Sequence, residues 1–152
     1  MYHRIVERIC RRNLQRVNTH EDQALLAACV PDVYHRFGGQ HALGGQRHDV
    51  EALRHWFARL HRLCPTLHLT VTDVWVKGLP HDTTVVVRWD ATQQEPTLDG
   101  SQYANHGVHI IKLRWLKVVS IDANEDSEAV DHFLQAAAAR GITEATAHPI
   151  AS

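Results

Sequence analysis

The sequence lacks any long apolar run: no stretch of eighteen apolar residues occurs, so we expect no membrane-spanning helix. The opening residues, MYHRIVERICRRN, are charged throughout and lack the apolar centre of a secretory signal. These absences lead us to expect a protein of the cytoplasm that does not associate with membranes.

Cysteine is scarce and odd in number, with Cys10, Cys29 and Cys64. An odd set in apolar helical surroundings does not fit a disulfide framework and favours buried, reduced thiols. Cys10 and Cys64 have no neighbouring base in the sequence, so we interpret them as core residues rather than nucleophiles.

Excess charge of one sign is also absent. Sixteen Lys and Arg residues face seventeen Asp and Glu residues, for a net charge of −1, which gives no basic footprint for a nucleic acid. Apolar residues make up 44% and charged residues 22%, as in an average globular protein. We therefore expect one domain over residues 1–152 that does not bind nucleic acid.

The sequence lacks two classes of motif, those that bind nucleotide cofactors and those that bind metals. The glycine-rich loop GGQHALGG (38–45) is neither a phosphate-binding loop nor a dinucleotide fingerprint. Histidine is abundant, at thirteen residues, but no HxH, HExxH or i,i+4 pair occurs. His48 and His55 share a helix face across two turns, which is too far apart to hold one ion. We expect no cofactor and no metal.

What the sequence does contain is a clear change of periodicity. Helical spacing predicts helices over 2–17, from Thr19 as N-cap to Pro31, over 50–63 after Asp49 as N-cap, and over 126–141 with Gly141 as the stop. Period-two alternation predicts strands over 32–37, 66–78, 83–93, 103–115 and 118–125. This order predicts an α+β fold with helices packed on one face of an antiparallel sheet.

Three stretches carry a family resemblance: LLAACVPDVYHRFGGQHALGGQRHDVEALRHWFARL (25–60), YANHGVHIIKLRWLKVVSIDANEDSEAV (103–130) and AAARGITEATAHPI (137–150). They resemble the SnoaL-like branch of the nuclear transport factor 2-like superfamily, whose relatives include polyketide cyclases and ketosteroid isomerase. The resemblance covers about residues 10–150. It implies a cystatin-like cone, in which a curved antiparallel sheet wraps around helices, and a homodimer.

The resemblance also implies where a site would lie. Ketosteroid isomerases use a carboxylate base, with a tyrosine and a protonated carboxylic acid at the oxyanion. Matching the motifs places the tyrosine near Asn13, the base at Phe37 (or, with a shift, at Gln40 or His41) and the acid at His109. The classical tyrosine and both carboxylates are therefore not matched.

The strand YANHGVHIIKLRW (103–115) predicts a cavity wall. Its odd positions share one face, and the resemblance implies that this face points into the cone. The preceding strand would add Val87, Trp89 and Ala91. We expect an apolar ligand cavity lined by Tyr103, Asn105, His109, Ile111, Leu113, Trp89 and Trp56.

Two histidines are the candidate catalytic residues. His109 would be desolvated and neutral, and so able to exchange a proton, or it is a core histidine bonded to Asn105 or Tyr103. His41 would reach a ligand from the flexible glycine loop, or it is an exposed loop histidine. On the short strand only one of Tyr34 and His35 can face inward, and we expect Tyr34 as a ligand-binding residue.

Strand acids suggest another chemistry. An acid pair with an arginine would fit epoxide hydrolysis, but Arg88 and Asp90 lie on the strand face opposite Trp89. We interpret Arg88 and Asp90 as a solvent-facing or dimer-facing ion pair.

Two functions remain open. One is cofactor-free proton transfer of isomerase or cyclase type on a small hydrophobic molecule, with His41 or His109 as base and with Asn105 and either Tyr103 or Tyr34 as hydrogen-bond donors. The other is a non-catalytic ligand-binding or association module. A cone filled by Trp56 and Trp89, with His109 bonded only to protein groups, would exclude the enzyme. An open cavity of several hundred cubic ångströms with His109 exposed to it would instead justify a screen of ligands.

Overall fold

A six-stranded sheet forms the frame of the computed structural model, which describes residues 1–152. The sheet is curved and unclosed, in agreement with the predicted α+β cone. The helices are α1 (Tyr2–Asn18), α2 (Asp22–Ala27), α3 (Val50–Leu63) and α4 (Ser127–Ala139), followed by a 3-10 turn (Thr143–Thr146). The strands are β1 (Cys29–Phe37), β2 (Gly45–Arg47), β3 (His68–Leu79), β4 (Asp82–Pro96), β5 (Gln102–Arg114) and β6 (Lys117–Glu125).

The strands follow the order β2-β1-β6-β5-β4-β3 across the sheet. Neighbouring strands run antiparallel, except for β1 and β6, which are parallel. Parallel strands cannot be joined by a hairpin, and here four elements of the chain lie between β1 and the β5–β6 pair. The tight turn from β5 to β6 consists of Trp115 and Leu116, with φ of 51° and 66°. Positive φ at both central residues is what a type I′ hairpin turn requires.

The core lies between the inner face of the sheet and three helices. Each helix presents one apolar stripe, and the buried residues of these stripes pack in a single cluster with those of β4 and β5. The stripes are Val6, Cys10 and Leu14 on α1; Leu53, Trp56, Phe57 and Leu60 on α3; and Val130, Phe133 and Ala137 on α4. The predicted cap of α3 is confirmed, since the Asp49 carboxylate accepts from the Ala52 backbone N–H at 2.8 Å.

The segment after α1 differs from its prediction. Thr19 ends α1 instead of starting α2, and its hydroxyl donates to the Glu21 carboxylate. Glu21 takes the N-cap position of α2, which ends at Ala27. Pro31 lies inside β1, where the pairing of β1 with β6 shifts register between Cys29 and Tyr34. Such an irregularity accommodates the missing N–H of proline, which would break a regular ladder.

A strand that the sequence does not reveal begins at the last residue of the glycine loop. Residues 45–47 form β2 and pair with 35–37 of β1. Gly45 begins β2 with φ of 86°, a conformation that favours glycine. With only three residues, β2 offers no alternation to detect.

No helix has the length and apolar character needed to cross a membrane. All three cysteines are free thiols, with Cys10 and Cys64 buried and Cys29 partly buried. Burial raises the pKa of Cys10 and of Cys29 to about 11, which keeps both thiols protonated at neutral pH.

Candidate functional site

A cavity of about 140 Å³ lies inside the cone, between the sheet and the helices. Of its 28 lining residues 24 are hydrophobic, so the chamber is apolar with few polar positions. The polar side chains that reach it are those of Asn13, His35, Asn105 and His109. An apolar space with a few placed polar groups is the usual form of a small-molecule site.

Most of the predicted wall residues meet at this cavity. Alternation along β4 and β5 turns one face of each strand inward, and the two faces are joined by direct cross-strand pairs such as Ala91 with Asn105 and Val87 with His109. The cavity is lined by Trp56, Trp89, Tyr103, Asn105, His109, Ile111 and Leu113. Asn13 and Phe37, two positions that the resemblance implied, also line it.

Tyr34 does not reach the cavity, so the predicted parity of β1 is wrong. Its ring packs 5.2 Å from the ring of His48, whereas His35 lines the cavity and is 2% exposed. Val33 and Phe37 are apolar and share the parity of His35, so the alternation within VYHRF could have shown which side chain is inside.

His41 lies outside the cavity, in a separate surface groove beside Asp131. Its Nδ1 accepts from the Leu43 backbone N–H at 3.3 Å, and its Nε2 is buried without a partner. Burial lowers the pKa of His41. The loop fold, fixed by the pairing of β2, directs His41 toward the groove, so its imidazole does not reach a ligand inside the cone.

His109 stands at the inner face of β5 and is tied to Trp89. The indole N–H of Trp89 donates to Nδ1 of His109, and the ring centroids lie 5.5 Å apart in an edge arrangement. Burial lowers the pKa of His109 to about 4, opposed by a smaller effect of the Asp122 carboxylate. Nε2 has no partner within the protein, so the free side of the ring is available to the cavity that it lines.

His35 is the residue that sequence reasoning missed, and it is tied to a buried arginine. Arg47 Nε donates to His35 Nδ1 at 2.9 Å, and the imidazole meets Trp56 edge-on with 4.5 Å between centroids. Burial lowers the pKa of His35 well below its ordinary value, and the nearby positive charge of Arg47 lowers it further.

Arg47 itself is fully buried and has no carboxylate partner. Its guanidinium donates to the carbonyl oxygens of Gly44 (2.9 Å), Gly45 (2.7 Å) and Ile150 (2.5 Å), and so ties β2 to the C-terminal residues. Burial lowers the pKa of Arg47 to about 10, and the side chain remains a cation at neutral pH. Hydrogen bonds to carbonyls replace the counter-ion that buried charges usually have.

Asn105 and Tyr103 form a bonded pair at one end of the cavity. Asn105 Nδ2 donates to the Tyr103 hydroxyl oxygen at 2.9 Å and to the Asp126 carbonyl at 3.0 Å. Asn105 Oδ1 accepts from the backbone N–H groups of His106 and Asp126. Asn105 therefore holds β5 to the start of α4, and burial raises the pKa of Tyr103, which stays a protonated phenol.

Arg88 and Asp90 lie on the outer face, as their parity predicted, but the acid nearest to Arg88 is Asp73 and not Asp90. Asp73 and Arg88 approach to 4.0 Å, and both line an outer groove with Asp90. No Asp or Glu is among the residues that line the inner cavity. No three His, Cys, Asp or Glu side chains come together in a way that could hold a metal ion.

Comparison with protein families gives one match: a model described as "SnoaL-like domain" matches residues 10–121. No curated protein matches by sequence.

Many solved structures are similar in fold. PrhC from Penicillium brasilianum has a TM-score of 0.75 at 12% identity, covering 93% of both chains. TerC, co-crystallised with polyporic acid, has a TM-score of 0.67 at 19% identity, covering 82% of this chain and 92% of TerC. A candidate polyketide cyclase from Sinorhizobium meliloti has a TM-score of 0.57 at 14% identity, covering 73% and 88%. At these identities the likeness is one of fold.

Proposed function

Because this chain belongs to the SnoaL-like domain family, we propose that its cone binds a small hydrophobic ligand. The observation that carries this proposal is the cavity, which is apolar except at four side chains and holds an imidazole nitrogen, Nε2 of His109, with no protein partner. The co-crystal of TerC with polyporic acid supports it, because a protein of the same fold takes up an organic molecule.

The size of the cavity limits the ligand. Drug-sized molecules occupy pockets of about 300–1,000 Å³, whereas an apolar cavity of about 150 Å³ in another protein binds benzene. The cavity of this protein, about 140 Å³, matches the second case. The ligand is then one ring in size.

Cofactor-free proton transfer of isomerase or cyclase type is the second candidate. It is supported by the position of His109, which lines the cavity where the family resemblance implied the oxyanion acid, and by the candidate polyketide cyclase among the fold neighbours. The cavity has no carboxylate to act as base. This favours a non-catalytic ligand-binding role over the enzyme.

The experiment is a thermal-shift screen of one-ring compounds, followed by isothermal titration calorimetry of those that stabilise the protein. We expect stabilisation by compounds of about seven heavy atoms and little by compounds of twice that size. His109→Ala should weaken the binding of polar ligands, while Asp131→Ala, beside His41 in the outer groove, should not. If no one-ring compound binds, the proposal is wrong.

We also propose that the outer sheet face pairs two copies of the chain. Trp75 and Ile110 are exposed there, at 52% and 40%, and Arg88 and Asp73 offer opposite charges to a copy related by two-fold symmetry. Multi-angle light scattering should give twice the chain mass for the wild type and the single mass for Ile110→Asp. A monomeric wild type would overturn the dimer. A cytoplasmic location is a further proposal, which the three free thiols support.

A further inference from the structure

We propose that His35 and His109 present fixed hydrogen-bond donors to the cavity, so that the ligand carries a carbonyl or similar acceptor oxygen. This inference rests on the proposed function, since it names the chemistry of the ligand in the same cone. The two histidines share one feature: each receives a hydrogen bond at Nδ1 from a group that can only donate.

The donor groups decide the tautomers. An indole N–H and a guanidinium N–H have no lone pair to offer, so Nδ1 of His109 and Nδ1 of His35 must each provide one. A neutral imidazole with a lone pair at Nδ1 carries its proton on Nε2. Both rings are held neutral by their burial. The protein thereby fixes an Nε2–H donor on each ring without any ligand present.

Neither Nε2 has a hydrogen-bond partner in the protein, and both residues line the cavity. An acceptor atom on the ligand would pair with the donor that the fold leaves open on each ring. A carbonyl oxygen has two lone pairs and can accept from one or both rings. Asn105 does not compete, because both of its polar atoms already bond within the protein.

This arrangement also sets the chemical role of the histidines. Nε2–H has no lone pair, and the lone pair of Nδ1 is already engaged, so neither ring can take a proton from a ligand in this state. The pair polarises an oxygen instead of acting as a base. The structure thus assigns His109 the role of donor rather than the role of base considered from the sequence.

The test uses two probes of nearly equal shape, cyclohexanone and methylenecyclohexane, which differ in an oxygen against a CH₂ group. Asparagine is the informative substitution, because Oδ1 can accept at the position of Nδ1 while no donor remains at the position of Nε2. Dissociation constants are measured by calorimetry for the wild type, His35→Asn, His109→Asn and the double variant. The ketone-to-alkene affinity ratio is compared between variants. Because the hydration of the free probes is the same in every experiment, it does not contribute to the difference between variants.

We expect each substitution that removes a contacting donor to lower the ratio about fivefold, as for one neutral hydrogen bond. The double variant should have the lowest ratio, with methylenecyclohexane binding retained in every variant. If the wild type binds both probes and the ratio stays within about twofold in all variants, this inference is overturned while the proposed function stands. If the wild type binds neither probe, this inference is overturned, whereas the proposed function is overturned only if the screen finds no one-ring ligand at all.

Nitrogen NMR of the imidazoles gives a second measurement that needs no ligand. The ¹⁵N shifts should show Nδ1 unprotonated and Nε2 protonated for His35 and for His109 at neutral pH. A spectrum with the proton on Nδ1 of both rings would contradict the inference directly. His109→Asn and His35→Asn assign the two sets of signals.

Discussion

Trp89 and His109 hold each other in place on neighbouring strands: the indole N–H of Trp89 donates to Nδ1 of His109. The contact is diagonal, because Trp89 pairs across the ladder with Gly107 and Val87 pairs with His109. Gly107 leaves the space in which the indole lies, since a Cβ at that position would come within 2.5 Å of Trp89 Cζ2. The absence of a side chain at Gly107 thus allows the hydrogen bond that orients His109.

Gly107→Ala should therefore break this arrangement. The added methyl would also meet the Asn124 carbonyl at 2.5 Å, and that backbone atom cannot move aside as a side chain can. We expect a loss of about 1–3 kcal/mol in the free energy of unfolding in urea, as for overpacked cores. The outward-facing Ala104→Val on the same strand should change stability by about 0.5 kcal/mol or less. Equal effects of the two substitutions would contradict the tight packing.

The neutral state of His109 predicts a pH dependence of stability. Its pKa is about 4 in the folded protein, below the ordinary 6.5, so the unfolded chain takes up the proton first as the pH falls. The stabilisation is complete above pH 6.5 and is lost progressively between 6.5 and 4, by on the order of 3 kcal/mol. His35, whose pKa is also lowered, acts in the same direction.

Urea unfolding at a series of pH values measures this slope. His109→Asn has no titrating group at that position, so its stability should fall less steeply over the same pH range. Parallel curves for the wild type and His109→Asn would show that His109 is already protonated, or accessible to water, in the folded protein.

Arg47 should prove essential to the fold although it lies apart from the ligand cavity. Arg47→Met would leave the carbonyls of Gly44, Gly45 and Ile150 without their donor. We expect a loss of about 3 kcal/mol in the free energy of unfolding. The pKa of His35 should rise, because a neighbouring positive charge is removed.

Arg54→Met is the matched control for Arg47→Met. Arg54 pairs with Glu51 on the exposed side of α3, where an ion pair contributes little. Its replacement should cost at most about 0.5 kcal/mol and leave the titration of His35 unchanged. A similar loss in both variants would mean that the buried bonds of Arg47 contribute no more than a surface pair.

Gln93 is a buried side chain whose replacement should stabilise the protein. It is 2% exposed, and neither its amide nitrogen nor its amide oxygen has a partner. Gln93→Met keeps the shape and removes the unsatisfied groups, so we expect a gain of about 1–3 kcal/mol. Gln94→Met, on the exposed side of β4, should have almost no effect. Destabilisation by Gln93→Met would contradict the unpaired amide.

The sequence predicted most of the cavity wall because the wall is built from long alternating strands. In β4 and β5 the period of two runs over more than ten residues, so a single register assigns every inward side chain, from Tyr103 to Leu113. In β1 a proline and a register shift precede the decisive residues, and only the apolar pair Val33 and Phe37 indicates that histidine, not tyrosine, points inward.

The Arg47–His35 contact lay beyond sequence reasoning for a different reason. Arg47 belongs to a three-residue strand that emerges from a glycine-rich loop, and its other partners lie as far along the chain as Ile150. Such contacts depend on tertiary folding rather than on local periodicity. The geometry of the same loop directs His41 away from the cavity and into the outer groove. The position of His41 in the sequence suggested that its side chain could reach a ligand in the cone, but the backbone does not allow this.

The claim that the cone holds a small ligand is tested most directly by filling the cavity from one side. Ala91 lines the cavity and is 2% exposed, so the ring of Ala91→Phe would occupy the space of about 140 Å³. The control is Ala104→Phe, which places the same ring on the outer face of the neighbouring strand. Calorimetry with methylenecyclohexane should show at least about tenfold weaker binding to Ala91→Phe and unchanged binding to Ala104→Phe. Equal binding to the folded Ala91→Phe variant and to the wild type would contradict the account.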